Sequence, residues 1–163
     1  MEVLGKLRLA AFLLAGIASA SWASGRELQP NEYQVEAAFL FNFLKFVQWP
    51  SPAGTRPWVI CVAGSGDFTA ILEDTVRGKA VNGQPVLVKR VASFADAQTC
   101  NIAFALAPQP SVPVLPGVLT VGSGAIITFY LDDNQIRFEV RLDAAKAAGL
   151  QLSSQLLKLA RIR

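Results

Sequence analysis

The chain has 163 residues, 15 Lys and Arg against 12 Asp and Glu for a net charge of +3, and no histidine. That charge is small, and apart from Lys6 and Arg8 its cations are dispersed from Arg26 to Arg163 without the clustered stripe that phosphate binding needs, which argues against a nucleic-acid partner. Lack of histidine removes Ser-His-Asp and Cys-His triads, the commonest general base, and most zinc and transition-metal sites.

At the N-terminus Lys6 and Arg8 precede an uncharged stretch from Leu9 to Ala18, after which Ala18 and Ala20 stand at the small-x-small spacing of a cleavage site. This order is that of a cleavable secretory signal. A membrane-spanning helix needs roughly 20 consecutive apolar residues, and this run covers about half of that before Ser19 and Ser21 interrupt it. The expectation is a signal peptide over residues 1–20, cut after Ala20 or alternatively after Ala23, and an exported, periplasmic product whose single domain spans 24–163. The alternative is an uncleaved tether.

Asn31, with Gln34 three residues on, has the capping-box arrangement and predicts a helix to about Trp49, ended by Pro50. At 100° per residue Val35, Phe39, Leu40, Phe43, Phe46 and Val47 share a broad core-facing arc, with Gln34, Asn42, Lys45 and Gln48 opposite. Phe41 falls in the middle of the polar arc and Trp49 between Lys45 and Asn42. Both are candidate aromatic anchors for another protein chain; for Phe41 a second layer of the domain covering that side, or a scattered exposed apolar residue, explains the position equally well.

A strand from Trp58 to Ala63, the loop Gly64-Ser65-Gly66-Asp67 and a helix from Phe68 to about Val76 form a βα unit. A dinucleotide reading of that loop fails, because Thr69 stands where the third glycine belongs and no Walker lysine follows. Asn82-Gly83 marks a turn, Val86–Val91 a strand, Phe94–Ala97 one helical turn, and Ile102–Leu106 a further strand. Pro108, Pro110, Pro113 and Pro116 rule out a long helix in the connection to a short strand, Val118–Val121. Ile126–Leu131 and Gln135–Leu142 flank Asp132-Asp133-Asn134 as a hairpin, with Ile136, Phe138, Val140 and Leu142 alternating with charged residues. A helical segment, Asp143–Ala148, stops at Gly149, and a last helix from about Ser153 to Arg161 turns Leu156, Leu157 and Ala160 to the core. Lys158, Arg161 and Arg163 then suit the negative end of that helix.

Helices interleaved with buried β runs predict an α/β fold: a single layered domain, a mixed β-sheet flanked by helices, with a C-terminal antiparallel hairpin and a terminal helix. Cys61 and Cys100 lie on or beside core strands, and an exported pair of this kind can form a persistent disulfide. Closing a loop of roughly 40 residues is worth about 4 kcal/mol in chain entropy. A redox switch and two free buried thiols are the alternatives. Asp132, Asp133 and Glu139 are the densest carboxylates, but a turn and a solvated strand face account for them, so neither an enzyme nor a cofactor is expected.

Two stretches at opposite ends carry a more specific signal. Residues 32–43, Glu32-Tyr33-Gln34-Val35-Glu36-Ala37-Ala38-Phe39-Leu40-Phe41-Asn42-Phe43, lead into Lys45-Phe46-Val47-Gln48-Trp49-Pro50, and Arg137-Phe138-Glu139-Val140 leads through Leu142-Asp143-Ala144-Ala145 and Ala148-Gly149-Leu150 to Ser153-Ser154 and Leu156-Leu157-Lys158-Leu159-Ala160-Arg161. In this order they resemble the YfiR family of periplasmic repressors. The resemblance implies a small α/β domain, often a homodimer, that restrains an inner-membrane diguanylate cyclase by binding its periplasmic sensor part. It also implies sequestration by an OmpA-like outer-membrane lipoprotein, an output of lower cyclic di-GMP and less biofilm, and a cysteine bridge that Cys61 and Cys100 fit. The chain departs from the family pattern at Gln48, where a glutamate is usual before Trp-Pro. It departs again in the short proline-rich connection from Leu106 to Val118, and in the reduced glycine approach Gly122-Ser123-Gly124. The second functional reading is a ligand-sensing module serving a sensor kinase or an outer-membrane transporter, with a pocket near Gly64 to Asp67 at the strand ends.

Overall fold

A computed structural model describes residues 30–50 and 56–163; the expected signal peptide and the polar lead lie outside the described residues. Helix α1 runs Pro30–Phe46 and is followed at once by β1, Val47–Gln48. The helix therefore ends three residues before Trp49, and Asn31 sits inside its first turn rather than at a cap. Tertiary pairing sets this end rather than Pro50. Val47 leaves the helix to pair antiparallel with Leu152 of β9, Gln151–Leu152, and Ser153 donates its N–H to the Phe46 carbonyl at 2.9 Å.

The main sheet is built from β2 (Trp58–Ala63), β3 (Ala80–Val81), β4 (Gln84–Val91), β5 (Ile102–Ala105), β6 (Leu119–Val121), β7 (Ile127–Asp132), β8 (Gln135–Val140) and β10 (Arg161–Ile162). Its order is β10-β8-β7-β6-β5-β2-β4-β3. From β4 to β7 every pairing is parallel, whereas β3 against β4 and β7 against β8 are antiparallel hairpins. This is the mixed sheet with a C-terminal hairpin that the alternating elements predict. The chain enters at β2, crosses to β4 through α2 (Phe68–Val76), and returns past β2 to β5. The order reverses between β2 and β5, and in open α/β sheets ligands bind beyond the carboxyl ends of strands near such a reversal.

Strand β2 shows why both faces are dry. Side chains alternate across the pleat, so Ile60 and Val62 enter one core while Cys61 and Ala63 enter another. The first core receives Leu40, Phe43 and Leu44 of α1, Leu72 of α2, Ala145 of α3 (Leu142–Ala147) and Leu156 of α4 (Ser154–Leu159). On the opposite face lie Phe94 and Ala97, around a short 3₁₀ turn at Phe94–Asp96, and Leu115 and Val118 from the proline-rich connection. All four α-helices thus serve one face, and irregular backbone covers the other.

The predicted core face of α1 is rotated. Leu40, Phe43 and Val47 are buried as the wheel expects, but Val35 is 43% exposed and Phe41 only 7%. The cause is a neighbouring helix: α2 lies on the same face of the sheet and packs along the flank of α1, so α1 is covered on that flank as well as on its sheet-facing side. At the C-terminus, α4 ends at Leu159 and Ala160 turns the chain into an edge strand parallel to β8. Arg161 and Arg163 therefore do not cap a helix. The Arg161 guanidinium lies 4.4 Å from the Tyr130 ring centre, and Arg163 bonds the Glu139 carboxylate at 3.0 Å.

Candidate functional site

Cys61 and Cys100 form a disulfide with their Cα atoms 6.0 Å apart and a sequence separation of 39. Cys100 precedes β5, and the parallel pairing of β5 with β2 brings it beside Cys61 on the face opposite the helices. Asn101 continues the ladder: its N–H donates to the Val59 carbonyl, and its Oδ1 accepts from the Val59 N–H, both at 2.9 Å.

Phe41 and Trp49, the two candidate anchors, occupy the corner where the C-terminal half of α1 meets β3. The Phe41 ring carries the Lys45 ammonium at 4.4 Å and the Lys79 ammonium at 5.1 Å from its centre. With Ala38, Asn42 and Ala80 these residues line a shallow recess of about 430 Å³. Two cations over one quadrupole are attracted to the ring but repel each other, which makes the rim electropositive. Trp49 is half-buried; its indole packs 5.8 Å from that of Trp58 and donates to the Leu44 carbonyl at 3.4 Å. Trp58 in turn donates to the Val81 carbonyl at 2.9 Å, tying this corner to β3.

Two of the three carboxylates singled out in the hairpin have structural partners. Asp132 pairs with Arg137 at 3.3 Å, and Glu139 with Arg163. Among the described residues no group of three or more His, Cys, Asp or Glu is placed to hold a metal ion.

A second recess, of about 400 Å³, lies at the carboxyl ends of β5 and β6, walled by the part of β7 that extends past them. This is one strand over from the loop at Gly64–Asp67 where the sequence suggests a pocket. Phe104, Leu106, Phe129, Leu131 and Ile136 give it an apolar lining. Its floor depends on Gly122, whose φ is +148° and where a Cβ would stand 2.8 Å from the Ala105 carbonyl oxygen. Only glycine tolerates both the angle and the approach. The Gly122 N–H donates to the Ile127 carbonyl at 2.8 Å, and its own carbonyl accepts from the Thr128 hydroxyl at 2.9 Å, so this backbone is fully engaged.

Glu36 enters this recess from α1. It is 4% exposed, and its Oε2 makes no hydrogen bond with any described residue. Burial, with a smaller contribution from the charge of Glu32 one turn earlier, pushes the Glu36 carboxyl up to about 7. Spacing puts it on the apolar side of α1, since Glu36 precedes Phe39, Leu40 and Phe43 by three, four and seven residues. The polar residue on that apolar stripe was the available signal.

No curated protein matches the chain. Residues 33–161, most of its length and both end motifs, match the YfiR/HmsC-like family, and the chain belongs to that family.

Proposed function

We propose that the protein is a periplasmic negative regulator that binds the periplasmic sensor part of an inner-membrane diguanylate cyclase, inhibits it and so lowers cyclic di-GMP. The observation that carries this reading is the family match over residues 33–161. The Cys61–Cys100 disulfide supports it, because such a bond persists in an oxidising compartment. Residues 1–20 serve as the export signal in this reading, the active form is a homodimer, and an OmpA-like lipoprotein is the sequestering partner.

The proposed contact corner is that of Trp49 and Phe41. Phe41 acts from beneath, holding Lys45 and Lys79 at the rim, while the half-buried Trp49 supplies apolar surface. Aromatic and cationic groups gathered at one edge suit a protein interface.

Deletion of the gene raises cyclic di-GMP under this reading, and the protein co-purifies from membranes with a diguanylate cyclase. Unchanged cyclic di-GMP together with no membrane partner rejects it. The second reading, a ligand-sensing module serving a sensor kinase or an outer-membrane transporter, draws support from the Glu36 recess.

A further inference from the structure

We propose that the recess beyond the carboxyl ends of β5 and β6 is a binding site for a small apolar molecule carrying one protonated amine, which the Glu36 carboxylate receives. Three independent features lead there.

The first is shape and lining. A recess of about 400 Å³ walled by Phe104, Leu106, Phe129, Leu131 and Ile136 has the size and apolar character of a small-molecule site. It also lies where an open parallel sheet offers a crevice, past strand ends close to the reversal in strand order.

The second is an unmet hydrogen-bonding demand. Glu36 Oε2 is the buried side-chain oxygen left without a partner among the described residues, and Glu36 is one of the residues that line this recess. Leaving a buried carboxylate oxygen unpaired costs free energy that an N–H donor from a ligand would recover. The neighbouring Thr128 hydroxyl and Gly122 carbonyl already bond each other, which leaves Glu36 as the buried side-chain acceptor in that wall without a partner among the described residues.

The third is sign. The charge of Glu32 acts on Glu36 from one turn away, and no Lys or Arg is among the described residues that line the recess. An anionic ligand would add a like charge to this pair, whereas an ammonium group relieves it and gains a charge-assisted hydrogen bond. The chemistry therefore selects an amine over a carboxylate of the same size.

The test is calorimetric titration of the purified protein with 2-phenylethylamine and, in parallel, with 3-phenylpropionate. The expected result is saturable binding of the amine in the millimolar range or tighter and none of the acid. Glu36→Gln keeps the side chain's shape and removes its charge, and it should weaken amine binding at least about tenfold, the loss of one charge-assisted hydrogen bond. Ser123→Trp, at an exposed position on the rim, should block the recess and weaken binding similarly while leaving the core untouched. Absence of saturable amine binding, equal binding of amine and acid, or full affinity in Glu36→Gln would overturn the proposal. If Glu36→Gln does not fold, Ser123→Trp decides: retained affinity overturns it and loss supports it. Binding here is independent of cyclase repression, so a protein that represses without taking the amine defeats only the pocket, and one that takes the amine without repressing defeats only the regulatory reading.

Discussion

Trp49 and Trp58 pack with their ring centres 5.8 Å apart and their planes inclined at 54°, joining the segment after α1 to the first strand of the main sheet. One indole bonds the Leu44 carbonyl and the other the Val81 carbonyl, so the pair fastens α1, β2 and β3 together. Trp49 is thus a structural contact that is only half-buried, which sets how its proposed role at a protein interface can be separated from its role in the fold.

Phe41 and Trp49 should behave differently on substitution. Phe41→Ala empties a site that is 7% exposed and should cost about 3 kcal/mol in urea unfolding. Trp49→Gln, at a half-buried position, should cost roughly 1–2 kcal/mol. If the corner binds the cyclase, Trp49→Gln raises cyclic di-GMP with the periplasmic level of the protein unchanged. Unaltered repression by a folded Trp49→Gln protein would place the interface elsewhere.

Removing the disulfide should destabilise without rearranging the sheet. The bond closes a loop of 39 residues, worth about 4 kcal/mol of unfolded-chain entropy. Cys61→Ala/Cys100→Ala should therefore unfold at markedly lower urea, while its far-UV circular dichroism in buffer stays that of the wild type. Thiol titration of the denatured wild-type protein should find no free thiol.

Glu36 makes stability depend on pH in a direction opposite to that of an ion-paired acid. Its folded-state carboxyl is raised from 4.5 to about 7, so the folded protein holds this proton more tightly than the unfolded chain. Stability from this group is full below the unfolded value and is lost as pH rises through the folded one. Between about pH 4.5 and 7 the folded state should lose on the order of 3 kcal/mol from this source. Glu36→Gln should flatten that slope and be the more stable protein at pH 8. Urea unfolding at pH 4.5, 6 and 8 measures it, and parallel wild-type and variant curves would contradict the assignment.

Gly122→Ala should be costly although the added group is one methyl. A Cβ there meets the Ala105 carbonyl oxygen at 2.8 Å, and the φ of +148° is strained for any L side chain. A loss of about 2 kcal/mol is expected from strain of this kind, together with distortion of the recess floor, which amine titration would register as weaker binding.

Much of the architecture was legible from local pattern. The β2–loop–α2 unit appears with the boundaries that the apolar run and the glycine loop predict, and the 3₁₀ turn at Phe94–Asp96 is held by the reciprocal Ser93–Asp96 cap. The Asn82-Gly83 and Asp133-Asn134 turns follow from residues that tolerate positive φ, here +49°, +75°, +46° and +60°. Pairing across long sequence distances was not legible. The end of α1 depends on Leu152 of β9, and the conversion of the last residues from helix to strand depends on β8, so neither is written in its own segment.

The sequence by itself determined the α/β class, the hairpin, the cysteine pair and the family, because each rests on local periodicity, turn chemistry or motif order. Tertiary structure alone decided which side of α1 is covered, and with it that Phe41 is buried and that Glu36 faces a recess between strand ends. A helical wheel records angles about one axis. It does not record which elements will pack around that axis, nor which strand ends will stop short and leave a carboxyl group without a partner.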